Sequence, residues 1–384
     1  MEPKPKTFLA HTAINRAILL SFILLVITGQ DFNHFTDLTI LFYVAITIFL
    51  SLLFPYLIKK SANLFISRLL LPFGYSLTVL GILGVTYHWF HSPGILMLAI
   101  GIGLINGRMY ELAHNHLFLR QQNQLHPLSK LAVTDNLAKI FIIIILGIDL
   151  HFKLSQTKMT GLVFLLLISF LLYLQLNKTT FKTVPLSEIH FSKPEKLILV
   201  TMAFVYAVLW QPFYLFLFLM IKYINPPLTE SVWTLLIPSV IFLVFTPVIS
   251  GLFNYLRKGN LEPSNFYKLI SALSLLSIAF IFMSICPLTY LSIIVLFVVL
   301  GFCSIFTIPV LQWLLVTGFQ KTPANFIPVV NLLTGILIIL FTGLYVLMET
   351  NILLVFAVLS LLLLVIFIAY KPSISHKNEV GKQS

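Results

Sequence analysis

The chain has 384 residues, of which 59% are hydrophobic and only 9% charged, against roughly 25% charged and 45–50% apolar in soluble domains. That balance excludes a water-soluble globular domain. The formal charge of +12 has no basic soluble domain to carry it, which excludes a nucleic-acid-binding module.

Crossing a hydrocarbon layer about 30 Å thick takes roughly 20 predominantly apolar residues, and such stretches recur from end to end. In chain order the predicted spans are 12–29, 36–58, 67–86, 93–115, 129–149, 158–175, 196–223, 231–256, 267–285, 287–317, 325–347 and 350–370. The first is expected to stay in the protein as helix one, because no small-residue cleavage site follows it and Gln30-Asp31-Phe32 leads straight into the next span. The longest polar stretch, 176–195, carries Lys178, Lys182, Pro185, Glu188, Lys193 and Pro194 and divides the spans six and six. The expectation is an all-α polytopic membrane protein with a six-helix bundle over 1–175, a cytoplasmic linker over 176–195, a second bundle over 196–370 and a cytoplasmic tail over 371–384. Two six-helix halves joined in this way are the plan of the major facilitator superfamily, whose halves rock about a site near the bilayer midplane.

Lys and Arg accumulate in the short cytoplasmic loops of membrane proteins. With the N-terminus inside, 18 of the 24 basic residues fall on the inside and only Lys153, Lys158 and Lys222 on the outside, while Arg16, Arg108 and Lys139 lie within spans. Both termini are therefore expected in the cytoplasm, with the bilayer as the chain's main partner. Cys286 sits near an outer helix end and Cys303 lies 17 residues on, about 25 Å away along a helix rising 1.5 Å per residue, too far for a disulfide.

An ionisable group inside a span costs at least ~2.5 kcal/mol and normally faces a cavity or a partner. Arg16 in span one is such a group, facing a binding cavity or snorkelling to the headgroups. In span four, Arg108 and Glu111 stand three residues apart and can pair along one helix face; the alternative joins Glu111 to Arg16 across two spans. His114 and His116 follow near the inner end of span four, where their two-residue spacing points the rings to different faces and argues against a metal site. In span five, Asp135 and Lys139 have helical salt-bridge spacing and can satisfy each other, leaving Asn136 as the cavity candidate there. Span seven offers Tyr206, Trp210 and Tyr214 as an i, i+4, i+8 aromatic stripe beside Gln211, which suits either a pocket for a partly apolar solute or helix packing. Gln312 and Trp313 in span ten and Asn331 in span eleven carry the same two readings. Pro212, Pro238, Pro247, Pro309 and Pro328 lie within spans of the second half, where helix bends are expected.

The stretch IPSVIFLVFTPVISGLFNYLRKGNLEPSNFYKLISALSLLSI from Ile237 to Ile278, with Pro247, Arg257, Glu262-Pro263-Ser264 and Lys268, resembles helices eight and nine of the proton-dependent oligopeptide transporters. GFCSIFTIPVLQWLLVTGF at 301–319 and NLLTG at 331–335 look like that family's tenth and eleventh helices, with weaker echoes at Asn106-Gly107 and Asp135-Asn136-Leu137. The resemblance implies a major facilitator fold and a small peptide or peptide-like solute as cargo. It also implies that Arg16 faces the central cavity, where it would meet a substrate carboxylate or a neighbouring acid. Where the family has an ExxER motif, this chain has Thr12-Ala13-Ile14-Asn15-Arg16, keeping the arginine without either acid. The family's helix-four lysine falls on Tyr110, its helix-seven glutamate on Trp210 with Gln211 following, and its helix-ten glutamate on Ser304.

These observations lead to the expectation of a secondary transporter, a monomer without cofactor or enzymatic chemistry, with protons as the candidate coupling ion. Its expected solute-binding and coupling residues are Arg16, Arg108, Tyr110, Glu111, Asn136, Trp210, Gln211, Tyr214, Ser304 and Asn331. The alternatives are a carrier or exporter of another amphipathic solute, and a transporter-shaped protein that senses a ligand or scaffolds partners without transporting.

Overall fold

The computed structural model describes residues 5–28, 37–61, 64–86, 93–105, 126–152, 163, 165–171, 191–259, 261–318 and 323–369. Among them all regular structure is helical, and every one of the twelve predicted spans contains helical residues. The helices are α1 (Pro5–Thr28), α2 (Asp37–Ser61), α3 (Leu64–Thr86), α4 (Pro93–Ile105), α5 (His126–Phe152), α6 (165–171), α7 (Lys193–Trp210), α8 (Leu215–Leu219), α9 (Leu228–Thr234), α10 (Leu236–Lys258), α11 (Asn265–Ile285), α12 (Tyr290–Trp313), α13 (Pro323–Met348) and α14 (Ile352–Ala369). Within the described residues, seven helical stretches are long and apolar enough to cross a membrane, and Leu69–Gly84 and Pro93–Ile105 are shorter apolar helices. The chain is a multi-pass membrane protein.

An apolar solvent leaves backbone N–H and C=O groups no outside partner, so each span must satisfy its own, and a helix does so. Hydroxyls within the spans are settled in the same local way. Thr47 donates to the Tyr43 carbonyl at 2.8 Å, Thr78 to Gly74 at 2.8 Å and Thr201 to Leu197 at 2.9 Å, each one turn back on its own helix. The entry to α12 is a reciprocal capping box. The Ser292 amide donates to Thr289 Oγ1 at 3.2 Å and the Thr289 amide to Ser292 Oγ at 2.9 Å.

The chain divides into two compact units, Met1–His190 with Ala324–Gly343, and Phe191–Pro323 with Leu344–Ser384. In the first, α3 and α4 meet backbone to backbone at glycines. A Cβ on Gly81 would stand 2.7 Å from both the Gly94 carbonyl oxygen and the Leu98 amide nitrogen, and one on Gly101 would stand 2.7 Å from the Gly74 carbonyl oxygen. Small residues permit such close approach, which gains dispersion contacts where the hydrophobic effect cannot drive helices together. Gly335 on α13 makes a similar approach to α2, where its Cβ would lie 2.9 Å from the Phe49 ring. Tyr75 of α3 and Ser169 of α6 share a buried hydrogen bond of 2.7 Å. Pro55 and Pro72 lie inside α2 and α3, so prolines within helices are not confined to the second half.

The second unit is organised around a broken helix. Pro212 has no N–H to donate, and the backbone after Trp210 tightens into a 3-10 turn at Gln211–Phe213. Tyr214, at φ −141° and ψ −62°, then starts α8, and a π-helical turn follows at Met220–Ile224. Across this stretch Phe213 to Met220 are buried. Phe216 packs against Phe280, Phe297 and Phe356 with ring centroids 6.4, 6.4 and 6.0 Å away, joining the broken helix to α11, α12 and α14.

Candidate solute-binding groups in the two units

In the first unit Arg16 and Asp135 are 119 residues apart in sequence, yet Arg16 Nε donates to Asp135 Oδ1 at 2.5 Å. The other carboxylate oxygen, Oδ2, takes Lys139 Nζ at 2.9 Å. One carboxylate thus holds a cation from α1 and a cation from its own helix. The three side chains are 14% (Arg16), 20% (Asp135) and 14% (Lys139) exposed, too little for a hydrated surface pair. Lys139 sits one turn after Asp135, as the helical spacing requires, while the packing of α1 on α5 brings in Arg16.

This arrangement revises one sequence expectation. Asp135 and Lys139 do pair, but they are not a self-contained couple, because Asp135 is shared with Arg16. Arg16 meets a carboxylate on span five, and whether it also meets one on span four is not tested by this contact. Glu111, the acid proposed for it, lies outside the described residues, as do Arg108, Tyr110, His114 and His116. The signal that could have found the pairing was the cost of an unmatched arginine in a span, weighed against every acid in the other spans. Asn136 follows Asp135 and is half-buried, with its Nδ2 donating to the Ala132 carbonyl at 2.9 Å. On α13, in the same unit, Asn331 is buried, and its Nδ2 has no hydrogen-bond partner among the described residues.

In the second unit the expected aromatic stripe does not run along one face. Tyr206 and Trp210 lie on α7, but Tyr214 follows the break, and its non-helical backbone turns it off the line that i, i+4, i+8 spacing assumes. It is fully buried, and Trp210 packs edge-on to Phe213 with centroids 6.2 Å apart.

Gln211 does local work at the break. Its backbone N–H bonds to the Val208 carbonyl, one residue nearer than an α-helix would reach. The Ala207 carbonyl instead accepts the Gln211 side-chain Nε2 at 3.0 Å. Gln211 Oε1 is buried without a hydrogen-bond partner among the described residues. Gln312 of α12 donates from Nε2 to the Tyr206 hydroxyl at 3.0 Å, a link between α7 and α12 that neither residue's spacing announces. Ser304, also on α12, donates to the Gly301 carbonyl at 2.6 Å and is buried.

The most specific part of the sequence resemblance lies at the turn between α10 and α11. Glu262 accepts from Arg257 Nε at 2.7 Å and from Lys268 Nζ at 2.5 Å, and Lys268 lies 4.0 Å from the centroid of the Phe253 ring. These hydrogen bonds, Arg257's foremost, hold the Glu262 carboxyl at about 2, below its ordinary 4.5. The cluster staples two helix ends together.

No protein-family model and no curated protein matches the chain. Solved structures do. The POT family transporter PepTSo, crystallised in meso, aligns with a TM-score of 0.70 at 10% identity, covering 98% of this chain and 99% of that one. A POT family transporter in complex with 5-aminolevulinic acid aligns at 0.69 and 12% identity, covering 96% of each chain. A third, in complex with a thioalcohol-conjugated peptide, aligns at 0.68 and 13% identity, again covering 96% of each. The fold is therefore that of the POT transporters, an all-α membrane fold of the major facilitator type with about twelve transmembrane helices.

Proposed function

We propose that this protein is a secondary transporter that moves small peptides or peptide-like organic solutes by alternating access. The observation that carries the reading is the match of fold over 96–98% of the chain to transporters whose partners include 5-aminolevulinic acid and a modified peptide. Those ligands share a charged, amphipathic character with the groups at hand here. The first unit offers a cation pair at Arg16 and Lys139, and the second offers neutral hydrogen-bonding groups.

In this reading Arg16, Arg108, Tyr110, Glu111, Asn136 and Asn331 are the solute-binding and coupling candidates of the first unit, and Trp210, Gln211, Tyr214 and Ser304 those of the second. The protein works as a monomer in an inner membrane with both termini in the cytoplasm, and protons are the proposed coupling ion.

The test is uptake of labelled dialanine by liposomes carrying the purified protein, with and without an inward proton gradient. Accumulation above equilibrium under the gradient is the expected result. Equilibration that ignores the gradient would indicate a facilitator without proton coupling. No uptake under either condition, together with retained binding, would replace transport by ligand sensing.

A further inference from the structure

Helix α10 keeps one face exposed among the described residues. Val244, Val248, Leu252 and Tyr255 recur every three or four residues, which sets them in line along the helix. Each is more than half exposed, Tyr255 at 75%. Lys258 continues the same line three residues after Tyr255 and is also exposed. Gly251 lies within the strip, and a Cβ there would meet nothing within 4 Å, so the strip has a shallow notch.

The chemistry of this face changes in order, from aliphatic to phenolic to cationic. At 1.5 Å per residue, Val244 and Tyr255 stand about 16 Å apart, close to half of a hydrocarbon layer about 30 Å thick. Val244 lies near the middle of the apolar stretch Leu228–Lys258. Tyr255 therefore reaches the interface, where tyrosines anchor, and Lys258 the headgroups beyond it. The adjoining turn supplies a second cation at that level. Glu262 takes Arg257 by Nε at 2.7 Å and by Nη2 at 3.3 Å, and takes Lys268 as well. Arg257 Nη1 is left without a partner among the described residues, as is the Lys258 ammonium. With Lys268 counted, three cations face one carboxylate, and the helix end is positive.

We infer that this face of α10 holds one anionic phospholipid. Its phosphate lies on Lys258 and the open end of Arg257, its glycerol backbone beside Tyr255, and an acyl chain along Leu252, Gly251 and Val248. Glu262 fixes the Arg257 guanidinium from behind, so the cation is positioned before the lipid arrives. A choline headgroup would add a third cation to two that are uncompensated, so the site favours a lipid whose headgroup brings none. The inference rests on the chain's place in a membrane and not on its cargo. In the topology proposed above, the lipid belongs to the cytoplasmic leaflet.

The test is native mass spectrometry of the full-length protein in detergent, titrated with dioleoylphosphatidylglycerol, dioleoylphosphatidylcholine or glycerol 3-phosphate. The phosphatidylglycerol should bind at least tenfold more tightly than the phosphatidylcholine. R257Q and K258Q should each weaken it about fivefold, the scale of one basic residue at an anionic surface. K193Q/K196Q removes two exposed lysines from the start of α7, on the same predicted side, and should leave this affinity unchanged. Equal losses in K193Q/K196Q would reduce the effect to diffuse attraction and overturn the site. Equal binding of the two lipids would overturn it too, as would competition by glycerol 3-phosphate at lipid-like concentrations. Should R257Q fail to fold, K258Q decides alone, because Lys258 takes no part in the Glu262 cluster. None of these results depends on the dialanine uptake assay.

Discussion

The two units handle buried polarity differently. In the first, charge lies within the spans, where Asp135 meets Arg16 and Lys139 between α1 and α5. In the second, the described ion pairs sit at helix ends, Arg257–Glu262–Lys268 at the α10–α11 turn and Lys222–Glu349 beside the α13–α14 corner. Deeper in its spans the described polar groups include the neutral Tyr206, Gln211, Ser304 and Gln312, while the buried Glu195 lies in the first turn of α7. A buried charge discriminates strongly, because it pays heavily for a wrong partner, whereas amides and hydroxyls discriminate through direction and fit. Packing differs in emphasis: glycines bring α3 and α4 together in the first unit, while the second adds a phenylalanine cluster around a broken helix to the close approach of Gly301 on α12 to Pro238 and Ile241 of α10.

Mutations that strike each unit at its own device test this contrast. The largest effect is expected for Phe216→Ala, which empties the centre of the cluster formed with Phe280, Phe297 and Phe356. The loss should be about 4 kcal/mol of stability, the scale of Phe-to-Ala truncation in a packed core, read as a lower melting temperature of the purified protein. A loss under a quarter of that would mean the broken helix is held by something else.

Gly101→Ala comes next. The new Cβ would lie 2.7 Å from the Gly74 carbonyl oxygen, and backbone cannot move aside as a side chain can. The expected cost is about 3 kcal/mol, the upper part of the overpacking range. The matching substitution Gly251→Ala in the second unit, where a Cβ meets nothing within 4 Å, should leave the melting temperature unchanged.

Third, R16Q and D135N should each destabilise, while the double variant should be less unstable than the sum of the two. The coupling should be about 1–2 kcal/mol, within the range for contacting residues, and additive losses would dissolve the pair.

The smallest effect belongs to Glu262→Gln, because Arg257 is 68% exposed and surface pairs contribute about 1 kcal/mol or less. The pH dependence sharpens this case. The Glu262 carboxyl is lowered from 4.5 to about 2, so its contribution is fully present above pH 4.5 and is lost as pH falls through about 2. Melting curves of the wild type and E262Q should differ at neutral pH and converge towards pH 2. A constant gap would show that the ionised carboxylate is not the stabilising form.

Much of the architecture was legible without coordinates. Predicted and observed span edges mostly agree within a few residues, as with 267–285 against Asn265–Ile285 and 350–370 against Ile352–Ala369. The α10–α11 segment also carried the most specific sequence resemblance, and its charged residues do form one cluster. Pro212 marked a disturbance in span seven, but not its form. A proline removes one donor, and whether the helix kinks or breaks depends on what can take up the freed carbonyl. Here the Gln211 amide takes up the Val208 carbonyl and its side chain folds back onto that of Ala207, and the stripe that helical spacing implied ends at that point.

What the sequence determined by itself follows from the solvent and from helix geometry. Apolar spans in a hydrocarbon layer must be helices, and Asp135 and Lys139, four apart on one of them, must lie on the same face. Only the tertiary structure decided that Arg16 joins Asp135 and that Gln312 reaches Tyr206. Spans that are apolar on nearly every side leave their rotation about the helix axis open, so the residues that meet across two helices are chosen by packing details such as the glycine contacts of α3 and α4 and the break after Trp210.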